Sequence, residues 1–107
     1  MKRSKQIRPP KRLQILNLTW AVKFIDNDVS DALGWCDYDN QTITLYTKQS
    51  TESLADTFQH EILHALFYAM SIDINTDEEK IVSKISTGLN TVWSQNPKAF
   101  KWYSSLL

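Results

Sequence analysis

Five consecutive residues, His60-Glu61-Ile62-Leu63-His64, carry the richest chemistry in the chain. On an α-helix, residues four apart share a face, one turn from each other. Two imidazoles placed in this way can hold one divalent cation, with Zn–N bonds of about 2.0–2.1 Å. Glu61 follows the first histidine and can then reach an activated water as a general base. His60 and His64 are the only histidines in the sequence. So short a pattern also arises by chance, as two histidines on the polar edge of an amphipathic helix. The surroundings argue against that: Leu54, Phe58, Ile62, Leu63, Ala65, Leu66 and Phe67 spread round most of a helix turning about 100° per residue. Such a helix is predicted to be buried, and buried imidazoles and carboxylates require partners.

Two histidines are too few for a catalytic zinc site, which ordinarily has three protein ligands and one open position. One familiar extension places glycine three residues and histidine six residues past the second histidine. Here those positions hold Phe67 and Met70, and no further histidine exists. A carboxylate must serve, from Asp73, Asp77, Glu78 or Glu79. Asp73 and Asp77 fall in a loop or at a helix cap and are the weaker choices. Glu78 and Glu79 open a second helix, where acids also suit the positive end of the dipole. With Glu78 at 0°, Ile85 falls at about −20° and Val82 at about 40°, so Glu78 extends the apolar stripe. Glu79 extends the flank formed by Val82, Ser86 and Trp93. Geometry leaves both open.

The elements that must position these groups follow from the patterning. Leu13 and Ile15 alternate, then Leu18, Trp20, Val22 and Phe24 alternate in a shifted phase. This predicts a strand, a turn or bulge near Leu16-Asn17, and a second strand reaching Ile25. Asp26 to Asp31 is a polar connection. Gly34–Asp37 and Thr42–Tyr46, joined by the turn Tyr38-Asp39-Asn40-Gln41, predict a β-hairpin. Ser50 to Ser53 offer caps for a helix running to Met70. Residues 71–76 form its exit loop. A second helix is capped by Thr76 or Asp77 and continues to about Ser94, with apolar Ile81, Val82, Ile85, Leu89, Val92 and Trp93. Asn96-Pro97 stops it. Lys98 to Leu107 is read as a short aromatic helix or tail packed on the body. Strands followed by helices predict an α+β fold, with an antiparallel or mixed sheet of about three to four strands on a helix pair.

A chain of 107 residues, 42% hydrophobic and with only two glycines, is expected to fold as one domain. Cys36 is its single cysteine, which excludes an intrachain disulfide and fits a reducing compartment; it is read as a small core or strand residue. The net charge is zero, but Lys2, Arg3, Lys5, Arg8, Lys11 and Arg12 form a head without acids. Residues 1–12 are read as a basic flexible tail, with Pro9-Pro10 near its end, and residues 13–107 as the folded domain. The head lacks the apolar stretch and cleavage site of a secretory signal, and no segment is long enough to span a membrane. A solvated terminus is preferred for the head over a nucleic-acid-binding arm.

Together these residues carry a resemblance. Leu33-Gly34-Trp35-Cys36, Thr42-Ile43-Thr44-Leu45, His60 to Leu66, Glu78-Glu79-Lys80-Ile81-Val82 and Gly88-Leu89 resemble the small zincin-type, gluzincin-like metallopeptidase-like proteins of bacteriophages and prophages. The likeness covers roughly residues 13 to 97. It implies a minimal zincin-like fold and a Zn²⁺ held by His60, His64 and a downstream helical glutamate. The family pattern places that glutamate at Glu79, with Glu78 as the alternative. It further implies peptide-bond hydrolysis with Glu61 as the base, a peptide or protein substrate, and a cytoplasmic setting in a bacterium or infected host. It also implies Thr42–Tyr46 as an edge strand to which an extended peptide adds. Tyr68, one turn past His64, is the candidate oxyanion donor, against its plainer reading as an aromatic of a buried helix. Two rivals stand beside the hydrolase: a non-catalytic protein in which zinc ties two helices together, and a nucleic-acid-associated protein using the basic head.

Overall fold

The structure, a computed structural model, describes residues 9–26, 32–73, 77–95 and 97–105. Four strands come first: β1 (Arg12–Ile15), β2 (Leu18–Ile25), β3 (Gly34–Asp37) and β4 (Thr42–Tyr46). Three helices follow: α1 (Thr51–Ala69), α2 (Glu78–Gln95) and α3 (Pro97–Ser105). The fold is α+β, with the strands in the order β1-β2-β4-β3. The β1–β2 and β3–β4 pairs are antiparallel and β2–β4 is parallel, so the sheet is mixed.

Two-residue alternation sorts the side chains. Cross-strand partners Ile15 and Leu18, Leu13 and Trp20, Val22 and Ile43, and Phe24 and Leu45 share one face. Ile15, Trp20, Val22, Ile43 and Leu45 are buried there. Burial of each such side chain contributes roughly 1.5–3 kcal/mol. The phase shift between β1 and β2 is a tight turn, in which Leu16 takes φ 55°. Lys11 and Arg12, assigned above to the tail, belong to the sheet: Arg12 pairs with Ala21, and the Lys11 carbonyl accepts from Val22 N–H. The remainder of the head, residues 1–8, lies outside the described residues, as do residues 27–31 and 74–76 of the two expected connections.

Helix α1 lies across the apolar face. Ser50 is its N-cap, its hydroxyl accepting from Ser53 N–H. Leu54, Phe58, Ile62, Ala65, Leu66 and Ala69 recur at helical spacing and pack on the sheet. From Asp56 to Phe67 no residue is exposed, as the all-round apolar pattern predicted. Gln49 fastens the helix start to two strands. Its Nε2 donates to Leu33 O and Tyr46 O, and its Oε1 accepts from Ser53 and Thr57 hydroxyls. Among the described residues no helix is long and apolar enough to cross a membrane.

Three points bear on the expectations. The first concerns Thr42–Tyr46, which is not an edge strand: β4 lies between β2 and β3, and among the described residues the edge beside α1 belongs to β3. Ile43, Thr44 and Leu45 are all buried, so β4 demands cover on both sides. The second concerns α2, whose inward face is Val82 and Ser86, both fully buried, whereas Ile85 and Leu89 are exposed. Helix–helix contact here runs through Val82 and polar groups, so the apolar stripe marks the interface only in part. The third concerns the C-terminal segment, which is a short aromatic helix as expected: α3 packs on α2 through Trp93 and Phe100, while Phe100 and Trp102 stay partly exposed.

Two positions in the hairpin test this packing. A Cβ at Gly34 would lie 2.6 Å from Thr57 Cγ2 and 3.0 Å from Thr44 O. Gly34→Ala is therefore expected to destabilise the fold by about 1–3 kcal/mol, read as a lower denaturant midpoint. The Asp37 carboxylate closes the β3–β4 turn by accepting from Asn40 Nδ2 at 2.9 Å and Asn40 N–H at 3.2 Å. These bonds, the side-chain one foremost, hold its carboxyl below the usual range. Its contribution is present above the unfolded-state value of about 4 and is lost as pH falls through the lower folded value. Denaturation of wild type and Asp37→Asn at pH 7 and pH 3 is expected to show wild type more stable at pH 7, with the gap narrowing at pH 3.

Candidate metal centre

The two histidines leave α1 on the flank that faces β3 and α2. His64 is buried and His60 half-buried. Their Nε2 atoms stand 3.1 Å apart. Glu79, in the first turn of α2, reaches across both. Its Oε1 lies 2.7 Å from His60 Nε2 and its Oε2 lies 2.8 Å from His64 Nε2. The side chains of His60, His64 and Glu79 thus bring one ligand atom each into a group that can hold a metal ion. Asp73 and Asp77, the other acids considered, do not join it.

Glu78 also reaches the cluster, on a different side. Its Oε2 is 2.8 Å from His64 Nδ1. A neutral imidazole carries its proton on one nitrogen only. With Nδ1–H donating to Glu78, the Nε2 lone pair of His64 points toward His60 and Glu79. Metal-binding histidines ordinarily have such a partner on the second nitrogen, which fixes ring orientation and raises basicity. The neighbouring glutamates, which helix geometry left undecided, therefore occupy different positions: Glu79 meets the two Nε2 atoms, and Glu78 holds one ring.

A polar seam aims Glu79. Residues 79, 82, 86 and 90 fall on one face of α2. Ser86 Oγ donates to Asp56 on α1, and Thr87 Oγ1 reaches the same carboxylate at 3.0 Å. Gln59 Nε2 donates to Ser86 O at 2.9 Å and to Asn90 Oδ1 at 2.8 Å. These bonds fix the rotation of α2 about its axis. Two turns before Ser86, that rotation points Glu79 at the histidines.

Glu61 is 6% exposed. Burial pushes its carboxyl above the usual carboxylate range, while the two neighbouring imidazoles pull it the other way. It lines two cavities that share Gly34, His60, Glu61 and Glu79. One, of about 270 Å³, extends toward Leu33, Asp56 and Thr57. The other, of about 240 Å³, extends toward Cys36, Tyr38 and His64. The cluster therefore sits midway along a cleft beside the β3 edge. The β3–β4 ladder includes Tyr46 N–H donating to Leu33 O at 3.0 Å. Bonded pairs alternate along an antiparallel ladder, so Gly34 and Cys36 turn their main-chain groups to the open edge.

Cys36, expected as a core or strand residue, is a half-buried residue of β3 that also lines the second cavity. Burial, with the nearby acids Glu61, Asp37 and Glu78, pushes its thiol up to about 12. Tyr68 lines neither cavity and is 51% exposed, against both of its sequence readings. Two aromatics line the second cavity with the cluster, Trp35 and Tyr38, and of these Tyr38 carries a hydroxyl. Sequence reading placed it only in a turn, and a turn tyrosine carries no signal of a site until the hairpin is folded over α1.

The donor set fits a zinc ion. Tetrahedral bonds of about 2.0–2.1 Å would separate ligand atoms by roughly 3.3 Å, somewhat more than the 2.7–3.1 Å between these atoms. Three acids, Glu61, Glu78 and Glu79, converge on two imidazoles, and a bound cation would balance that charge. The two glutamates are separable by metal titration: Glu79→Gln is expected to abolish stoichiometric zinc binding, whereas Glu78→Gln weakens it about 10–100-fold. Equal losses would contradict the distinct positions of the two. Comparison with known proteins gave no matching family model, no matching curated protein and no matching solved structure.

Proposed function

We propose that this chain is a zinc-dependent peptide-bond hydrolase, with His60, His64 and Glu79 as metal ligands and Glu61 as general base. The observation that carries the reading is the convergence of both Nε2 atoms and the Glu79 carboxylate beside a buried glutamate. A site built only to tie two helices together has no use for that glutamate or for an open cleft beside it.

When bound, zinc supplies a Lewis acid that lowers the pKa of water toward about 7 and polarises a carbonyl. The protein's own groups do the rest. An extended peptide adds along β3, pairing with the outward main-chain groups of Gly34 and Cys36, which places one of its carbonyls over the cluster. This moves the docking edge from β4, where the resemblance put it, to β3. Glu61 takes a proton from the attacking water and delivers it to the leaving amine as the C–N bond breaks. Its burial raises its basicity, which brings it closer to the group it must deprotonate. Glu78 keeps the His64 ring oriented throughout.

Hydrolysis of a mixed-sequence peptide library by the zinc-loaded full chain, followed by mass spectrometry, tests the proposal. Glu61→Gln is expected to retain zinc and lose hydrolysis by about 10²–10⁴-fold. Zinc bound at full stoichiometry with no peptide cleaved by wild type would sink the enzymatic reading and leave a structural zinc site.

A further inference from the structure

The hydrolytic reading leaves one role without a residue: a donor for the oxyanion that forms as water adds to the carbonyl. Tyr68 lines neither cavity of the cleft. The structure offers another group. Tyr38 opens the turn that follows β3 and lines the same cavity as His60, Glu61, His64 and Glu79. Its ring is clamped. It stacks on Tyr68 with centroids 4.9 Å apart and planes at 14°, and it meets buried Trp20 edge-on at 6.3 Å and 90°. Asp37 and Asn40 brace the turn that carries it. Among the described residues its hydroxyl makes no hydrogen bond. A phenol held rigidly by its ring, with its O–H uncommitted beside the histidine–glutamate cluster, is a preorganised donor.

We propose that Tyr38 is a catalytic residue whose hydroxyl donates a hydrogen bond to the carbonyl oxygen of the substrate as negative charge develops there. The proposal rests on the hydrolytic reading. As the water oxygen bonds to the carbonyl carbon, the π electrons move onto the carbonyl oxygen, and the water proton passes to Glu61. Tyr38 donates to that oxygen while the tetrahedral carbon exists. When the C=O bond re-forms, the C–N bond breaks and the proton passes from Glu61 to the amine. Tyr38 ends as it began, protonated. Tyr68, which lines neither cavity, takes no part in the step.

The test uses the full chain in wild-type, Tyr38→Phe and Tyr68→Phe forms, because phenylalanine keeps the stacked ring in either place. Bound zinc is measured first, by plasma emission. Affinity for a capped phosphinic peptide, whose tetrahedral anion mimics the reacting carbon, is then measured by calorimetry. Tyr38→Phe is expected to keep its zinc, to bind the phosphinic peptide about 10-fold or more weakly, and to lower kcat by about 10²–10³ with little change in KM. Tyr68→Phe is expected to match wild type in all three. The proposal is overturned by unchanged phosphinic affinity in Tyr38→Phe, by an equal loss in Tyr68→Phe, or by zinc-loaded wild type failing to bind the probe. Wild type that takes up no zinc overturns the hydrolytic reading itself, and this shows in the metal measurement alone.

Discussion

The structure turns on one carboxylate laid across two imidazoles. Glu79 reaches from α2 to within 2.7–2.8 Å of Nε2 on both His60 and His64 of α1. The two nitrogens themselves are 3.1 Å apart. Two neutral imidazoles at that distance cannot both direct protons into the space between them. A cation there would take a lone pair from each nitrogen and would be balanced by the carboxylate, as proposed above. Everything around the cluster serves to keep these three atoms converged.

Most of that work is done by polar contacts, not apolar packing. Ser86 is fully buried and bonded to Asp56, and Gln59 spans Ser86 and Asn90. Each such bond contributes on the order of 1 kcal/mol net, but breaking one leaves a buried group unsatisfied at greater cost. The seam therefore favours a single rotation of α2 more strongly than an apolar stripe would, since apolar contacts tolerate sliding. Glu78 completes the arrangement by fixing the His64 ring. On the opposite side of the cleft, Gln49 ties β3, β4 and α1 together, and Gly34 lets the edge strand approach Thr57. Two independent devices thus set the two walls of one cleft.

The alternation in β1, β2 and β4 and the cap at Ser50 made the α+β order legible, because two-residue and 3.6-residue periods report burial directly. The spacing of His60, Glu61 and His64 made the helix face legible. Three features were not. The place of β4 inside the sheet depends on a parallel pairing with β2, which no local pattern encodes. The inward face of α2 is left open, because Ser86 and Asn90 look like surface residues until their partners on α1 are known. Tyr38 enters the cleft only through the hairpin's tertiary placement, while Tyr68, at an attractive helical spacing from His64, lines neither cavity. In each case the deciding interaction is long-range and polar or aromatic, a class to which hydrophobic periodicity is blind.

The most direct test of the central claim is the zinc K-edge X-ray absorption spectrum of the purified full chain. The expected spectrum shows only nitrogen and oxygen neighbours at about 2.0–2.2 Å, with outer-shell scattering from two imidazoles. A sulfur neighbour at about 2.3 Å, which would place Cys36 on the metal, or no zinc retained after reconstitution, would contradict it.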